Sequence, residues 1–125
     1  MNAVEIEQAV TDLAAQPFDA QEFPFAFLTA FGNKKTTIDR LRTGATNKSD
    51  VQGVLQHNNI HIKVSEPGLT GQALCELRDS PRTARGRVKF ILATDGIDLE
   101  AEDMSSGETV ACRYEDFPDQ FGFFL

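Results

Sequence analysis

Asp50, His61 and Lys63 come nearest, by type and spacing, to a reaction centre. Asp50 precedes a short strand-forming run, ten residues intervene, and Ile60-His61-Ile62-Lys63-Val64 alternates apolar with polar side chains. Alternation at period two sends His61 and Lys63 to one face of a strand. Metal-assisted phosphodiester hydrolysis uses such a layout in the pattern Asp…Glu-x-Lys. Carboxylate oxygens hold Mg2+ at short octahedral distances, and a cation offsets the charge growing on the phosphorus oxygens. Here the glutamate position holds His61, one neutral nitrogen in place of an anionic oxygen pair. That donor suits Mg2+ poorly and Mn2+ better. Glu66 would face the isoleucine side of a continued strand and cannot substitute. The alternative is an exposed strand face, with His61 and Lys63 solvated and Asp50 capping a turn.

Other chemistry is less well supported. Ser49-Asp50 with His57 or His61 shows no strained serine turn of the kind a nucleophilic triad needs. Asp95, Asp98, Glu100, Glu102 and Asp103 lack the glycine and terminal glutamate spacing of an EF-hand. Cys75 and Cys112 lie far apart with no Cys-x-x-Cys, so they read as reduced thiols of a cytoplasmic protein.

The net charge of −7 hides a sharp division. Residues 1–32 hold five acids and no bases, residues 33–94 eleven bases and five acids, and residues 95–125 nine acids and Arg113 alone. The basic middle could meet a phosphate backbone, with Lys34, Lys35, Arg40, Arg42 and Lys48 as candidate DNA contacts. The acidic flanks oppose tight autonomous binding. Asp98, Glu100, Glu102 and Asp116 form a candidate acidic docking face for a basic partner.

Elements that must carry these residues are legible. Ile6, Val10 and Leu13 predict a helix over Ala3–Ala15, stopped by Pro17. Asp19 with Glu22 predicts a capping box for a phenylalanine-rich helix that ends before Gly32. A third helix covers about Lys34–Arg42. Two strands, near Gly53–Leu55 and Ile60–Val64, flank an Asn58-Asn59 turn. Thr70 is placed to cap a helix reaching about Arg78. Arg82–Arg87 reads as mobile or briefly helical. Strands Val88–Ala93, Ile97–Glu102 and Thr109–Arg113 close a meander through the Asp95-Gly96 hairpin. The expectation is one α/β (α+β) domain over residues 1–125, with N-terminal helices and a mixed sheet of about five strands. No run is long enough for a membrane span, and the starting residues lack the basic n-region and apolar h-region expected of a secretory signal. The end, Phe117 to Leu125, closes on apolar residues and reads as a cut inside a longer chain.

At these residues the chain resembles the N-terminal domain of MmeI-like restriction–modification proteins, which fuse a nuclease-like domain to an N6-adenine DNA methyltransferase. Phe23-Pro-Phe-Ala-Phe-Leu-Thr-Ala-Phe-Gly32 is similar to the family's apolar helix, and Asp50 through Lys63 falls where the family carries Asp…Glu-x-Lys. Phe90 to Leu99, Ser106 to Val110 and Tyr114 to Phe117 are similar to its closing meander. The resemblance implies a restriction-endonuclease-like PD-(D/E)xK core, Mg2+ as nuclease cofactor and DNA as substrate. It implies S-adenosylmethionine in the parent chain, outside these residues, and a place in phage defence. Carried over, Asp50 is the metal ligand, Lys63 the charge stabiliser and His61 the remnant of the glutamate. The substitution implies a nuclease-derived domain whose cutting is lost or nearly so, next to the methyltransferase domain of the same chain.

Overall fold

The computed structural model describes all 125 residues. The elements run α1 (Ala3–Ala15), α2 (Phe23–Ala30), α3 (Lys35–Arg42), β1 (Val54–Gln56), β2 (Ile60–Val64), α4 (Thr70–Asp79), α5 (Pro81–Arg85), β3 (Phe90–Thr94), β4 (Asp98–Asp103) and β5 (Thr109–Arg113). A 3-10 stretch, Tyr114–Phe124, follows β5. The five strands form one mixed sheet in chain order. β2 and β3 run parallel and every other neighbouring pair antiparallel. The parallel pair requires a crossover, which α4 and α5 supply.

Strand alternation sorts the core into two layers. Ile60, Ile62, Phe90, Leu92, Leu99 and Ala101 point to α1, α2, α3 and the 3-10 stretch. Leu55, Ile91 and Ala93 point the other way, to Ala73, Leu74 and Leu77 of α4. The larger layer is aromatic: Phe23 packs edge-on to Tyr114 and Phe117, and Phe27 lies 4.6 Å from Phe31 between ring centroids. Such pairs add about 0.5–1.5 kcal/mol each beyond area burial. The phenylalanines at this end of the chain are therefore core, with Phe117 fully buried.

Local signals explain most boundaries. Asn2 caps α1 through Glu5 N–H, and Gln16 ends it in extended backbone before Pro17. Asp19 accepts from Glu22 N–H, but the Glu22 carboxylate turns to Arg42 instead of closing the capping box. Thr70 does not cap α4: Leu69 holds that position, and the buried Thr70 hydroxyl has no hydrogen-bond partner. Of the two readings of the basic run, mobile or briefly helical, the helical one holds. Ser80 caps α5 by accepting from Arg82 N–H, with Pro81 in the first turn. Gly53 is demanded by close approach, since a Cβ there would sit 2.2 Å from Ile62 O. No helix is long and apolar enough to cross a membrane.

Candidate functional site

β2 delivers His61 and Lys63 to the α4 side of the sheet, as its alternation requires, but to different surroundings. His61 is 0% exposed. Its Nδ1 lies 2.9 Å from Thr83 Oγ1, and its Nε2 lies 2.7 Å from Ser49 Oγ. Valence fixes the protons. Thr83 donates its only hydroxyl hydrogen to Leu77 O at 2.7 Å, so toward the ring it can only accept, and Nδ1 carries the hydrogen. Nε2 of the neutral ring then accepts from Ser49, whose oxygen is in turn held by Gly53 N–H at 3.0 Å. Both ring nitrogens are committed to the protein. Burial is the main force lowering the ring's pKa to about 4, with nearby Lys63 adding to it and Asp50 opposing. The solvated strand face considered for His61 is therefore not what forms, because α4 and α5 close over it.

Asp50 is exposed and accepts a hydrogen bond from Ser80 Oγ, which ties the loop before β1 to the start of α5. Lys63 Nζ lies 2.6 Å from Glu76 Oε2, a carboxylate on α4 that strand reasoning could not have paired with it. Hydrogen bonding to Lys63 pulls the Glu76 pKa below its ordinary value. This pair sits on the wall of a cleft of about 740 Å³, which Glu66, Gln72 and Asp95 also line. The cleft lies beyond the carboxyl ends of β2 and β3, where open α/β sheets commonly place ligands. Neither Asp50 nor His61 lines it. Asp95, 8% exposed, opposes burial with three backbone donors (Asp98, Gly68 and Ile97), which hold its carboxyl at about 2.

This donor set does not fit Mg2+. Asp50 brings one carboxylate already engaged, His61 has no free nitrogen, and Lys63 is neutralised by Glu76. No three His, Cys, Asp or Glu side chains converge on a common point anywhere in the chain.

The candidate DNA contacts divide. Lys35 pairs with Asp39, and Arg42 pairs with Glu22 while stacking over Phe25 at 4.4 Å. Lys34, Arg40 and Lys48 are exposed and lack an ion-pair partner. On the candidate acidic face, Glu102 is taken by Arg78 of α4, whereas Asp98 and Asp116 are exposed. Cys75 and Cys112 are free thiols.

Helices on both faces of a five-stranded mixed sheet, with a buried histidine network beside an open polar cleft, define a single-sheet α+β domain. Its sequence matches the family described as MmeI, N-terminal domain, over residues 1–125, and the chain belongs to that family. It is similar to DNA methyltransferase A of Bacillus subtilis (strain 168), with 23% identity over 126 residues. That match covers 100% of this chain but 14% of the relative's length. No solved structure matches the chain.

Proposed function

We propose that the chain is a nuclease-derived, non-cutting domain of an N6-adenine DNA methyltransferase of restriction–modification type. In this reading it is cytoplasmic, serves phage defence and helps seat the neighbouring methyltransferase domain on DNA. A restriction-endonuclease-like core is the proposed ancestry. It is supported by the antiparallel β1–β2 pair, with Asp50 in the loop before β1 and Lys63 on β2, and by the helical crossover to a parallel β3. S-adenosylmethionine would bind elsewhere in the parent protein. One observation carries the loss of cutting: the position of the motif glutamate holds a fully buried, neutral His61 with both nitrogens bonded internally.

The test is nicking of supercoiled plasmid by the whole protein with Mg2+ or Mn2+, beside an Asp50→Ala variant. The expected result is no metal-dependent nicking in either. Nicking by the parent that Asp50→Ala abolishes would overturn the proposal. Of the acidic docking face, Glu102 is already partnered within the domain, whereas Asp98, Glu100 and Asp116 have no ion-pair partner.

A further inference from the structure

Five of the twelve Lys and Arg side chains pair with carboxylates, and the other seven have no such partner. The seven are unevenly placed. Arg40, Lys48, Arg82, Arg85, Arg87 and Lys89 are all exposed: the first two lie in and after α3, which packs on β1, and the other four in α5 and the turn that leads to β3. On one side, the loop after α3 covers the β1 edge of the sheet: Asn47 accepts from Leu55 N–H and donates to Gly53 O. On the other, α5 and the turn after it press against the β1–β2 hairpin. Asn58 N–H donates to Gly86 O at 2.8 Å, and Lys89 N–H to Asn59 O at 2.8 Å. A Cβ on Gly86 would lie 2.9 Å from the Leu55 side chain, so the contact is close. Asn58 and Arg87 both take left-handed backbone at these clipped turns, with φ of 64° and 51°. The patch is thus a held platform. Residues 40–49 and 80–89 contain no acid; Asp39, Asp50 and Asp79 border them, with Asp39 paired to Lys35 and Asp50 bonded to Ser80.

We propose that this edge holds the phosphate backbone of double-stranded DNA without reading base sequence. The inference rests on the DNA-seating reading above and assigns it a surface centred on α5, whose six bases lie outside the lining of the cleft. Charge is the only attraction the patch offers. No Phe or Tyr side chain of the chain is fully exposed, and the exposed large apolar residues are Met1, Val4, Leu69, Ile97 and Leu125, none of them in these segments. A protein interface would need apolar or aromatic anchors, and single-stranded nucleic acid would need stacking platforms. Backbone binding to a duplex needs neither, and unpaired bases on a fixed surface supply its sequence-independent, salt-sensitive attraction.

The test measures affinity of the whole protein for a labelled duplex of mixed sequence across a salt series. Arg82→Glu/Arg85→Glu/Lys89→Glu alters the patch. Arg113→Glu combined with Val4→Glu, Gln8→Glu, Thr11→Glu and Gln120→Glu makes the same charge change at exposed positions outside it. The patch variant is expected to lose about thirtyfold in affinity, with the slope of log K against log salt shallower by about 3. The control variant should stay within about threefold, since charges beyond a Debye length are largely screened. Equal losses in both variants would mean bulk charge and overturn the assignment. Unchanged affinity in the patch variant would also overturn it, while leaving the plasmid result and the non-cutting reading untouched. Binding of polyglutamate as tightly as duplex, through the same bases, would replace DNA with an acidic protein partner.

Discussion

Two side chains on one face of β2 meet opposite conditions. His61 lies under α4 and α5 with no exposed surface and every polar atom satisfied. Lys63, two residues on, reaches the wall of an open cleft and finds a single anionic partner on α4. The first environment tolerates only a neutral ring that donates on one side and accepts on the other. The second tolerates charge because water reaches it. A strand's alternation decides which face a residue occupies, but the helix packed on that face decides whether the residue is core or site. A carboxylate at position 61 would therefore serve the fold very differently from one at position 76.

The sharpest way to break this contrast is His61→Glu. If position 61 were a worn metal pocket, the new carboxylate would strengthen Mg2+ binding. In the sealed site it should instead bury an acid and leave Thr83 and Ser49 mispaired. The expected loss is about 3–5 kcal/mol in urea-unfolding stability, with no gain in Mg2+ affinity by calorimetry. Retained stability together with a new Mg2+ isotherm would show that the site opens.

A smaller effect comes from protons alone. The ring's pKa is about 4 in the folded chain, against an ordinary value of 6.5. The unfolded chain takes up this proton first as pH falls. The neutral ring's contribution is thus complete above about pH 6.5 and is lost progressively toward pH 4. Between pH 6.5 and 5 the loss should be about 2 kcal/mol, from the linkage of proton uptake to folding. His57 is exposed, so His57→Gln should keep that dependence while His61→Gln should flatten it. A dependence that survives His61→Gln would assign the titration elsewhere.

Where the sequence spoke, local chemistry carried the signal. Pro17, the Asn58 turn and Asp95-Gly96 mark real breaks, and the apolar spacing of Ile6 and Val10 matches the buried face of α1. Alternation in β2 and β4 assigned faces correctly. What it could not supply was the identity of the cover. Ser49 is 12 residues from His61 and Thr83 is 22 away; the loop before β1 brings the first to the ring and the return of α5 the second. Glu76 likewise reaches Lys63 across 13 residues because α4 crosses back over β2. Arg82–Arg87 read as mobile or briefly helical because charge dominates its composition. Its order comes from one serine cap and from Thr83 buried against the histidine. The site was legible as a list of residues, and its burial was set by tertiary packing.

The cleft side of the comparison can be probed at Asp95, whose three backbone donors hold the turn between β3 and β4. Asp95→Asn replaces a charged acceptor with a neutral one and should cost about 1–2 kcal/mol. Its contribution should be full above about pH 4 in the parent and fade as pH falls toward about 2, the window directly below that of His61. An Asn variant as stable as the parent at pH 7 would show that backbone bonds alone close the hairpin.

The smallest change should come from the Lys63–Glu76 pair itself. Glu76 is 38% exposed at its side chain and Lys63 17%, so solvent screens their attraction. Lys63→Met and Glu76→Gln should each cost under about 1 kcal/mol, and a double-mutant cycle should return a coupling of about 0.5 kcal/mol. A coupling several times larger would mean that the cleft is as dry as the histidine site, and the difference between the two ends of β2 would vanish. A small coupling would leave Lys63 available to other anions entering the cleft, as no nitrogen of His61 is.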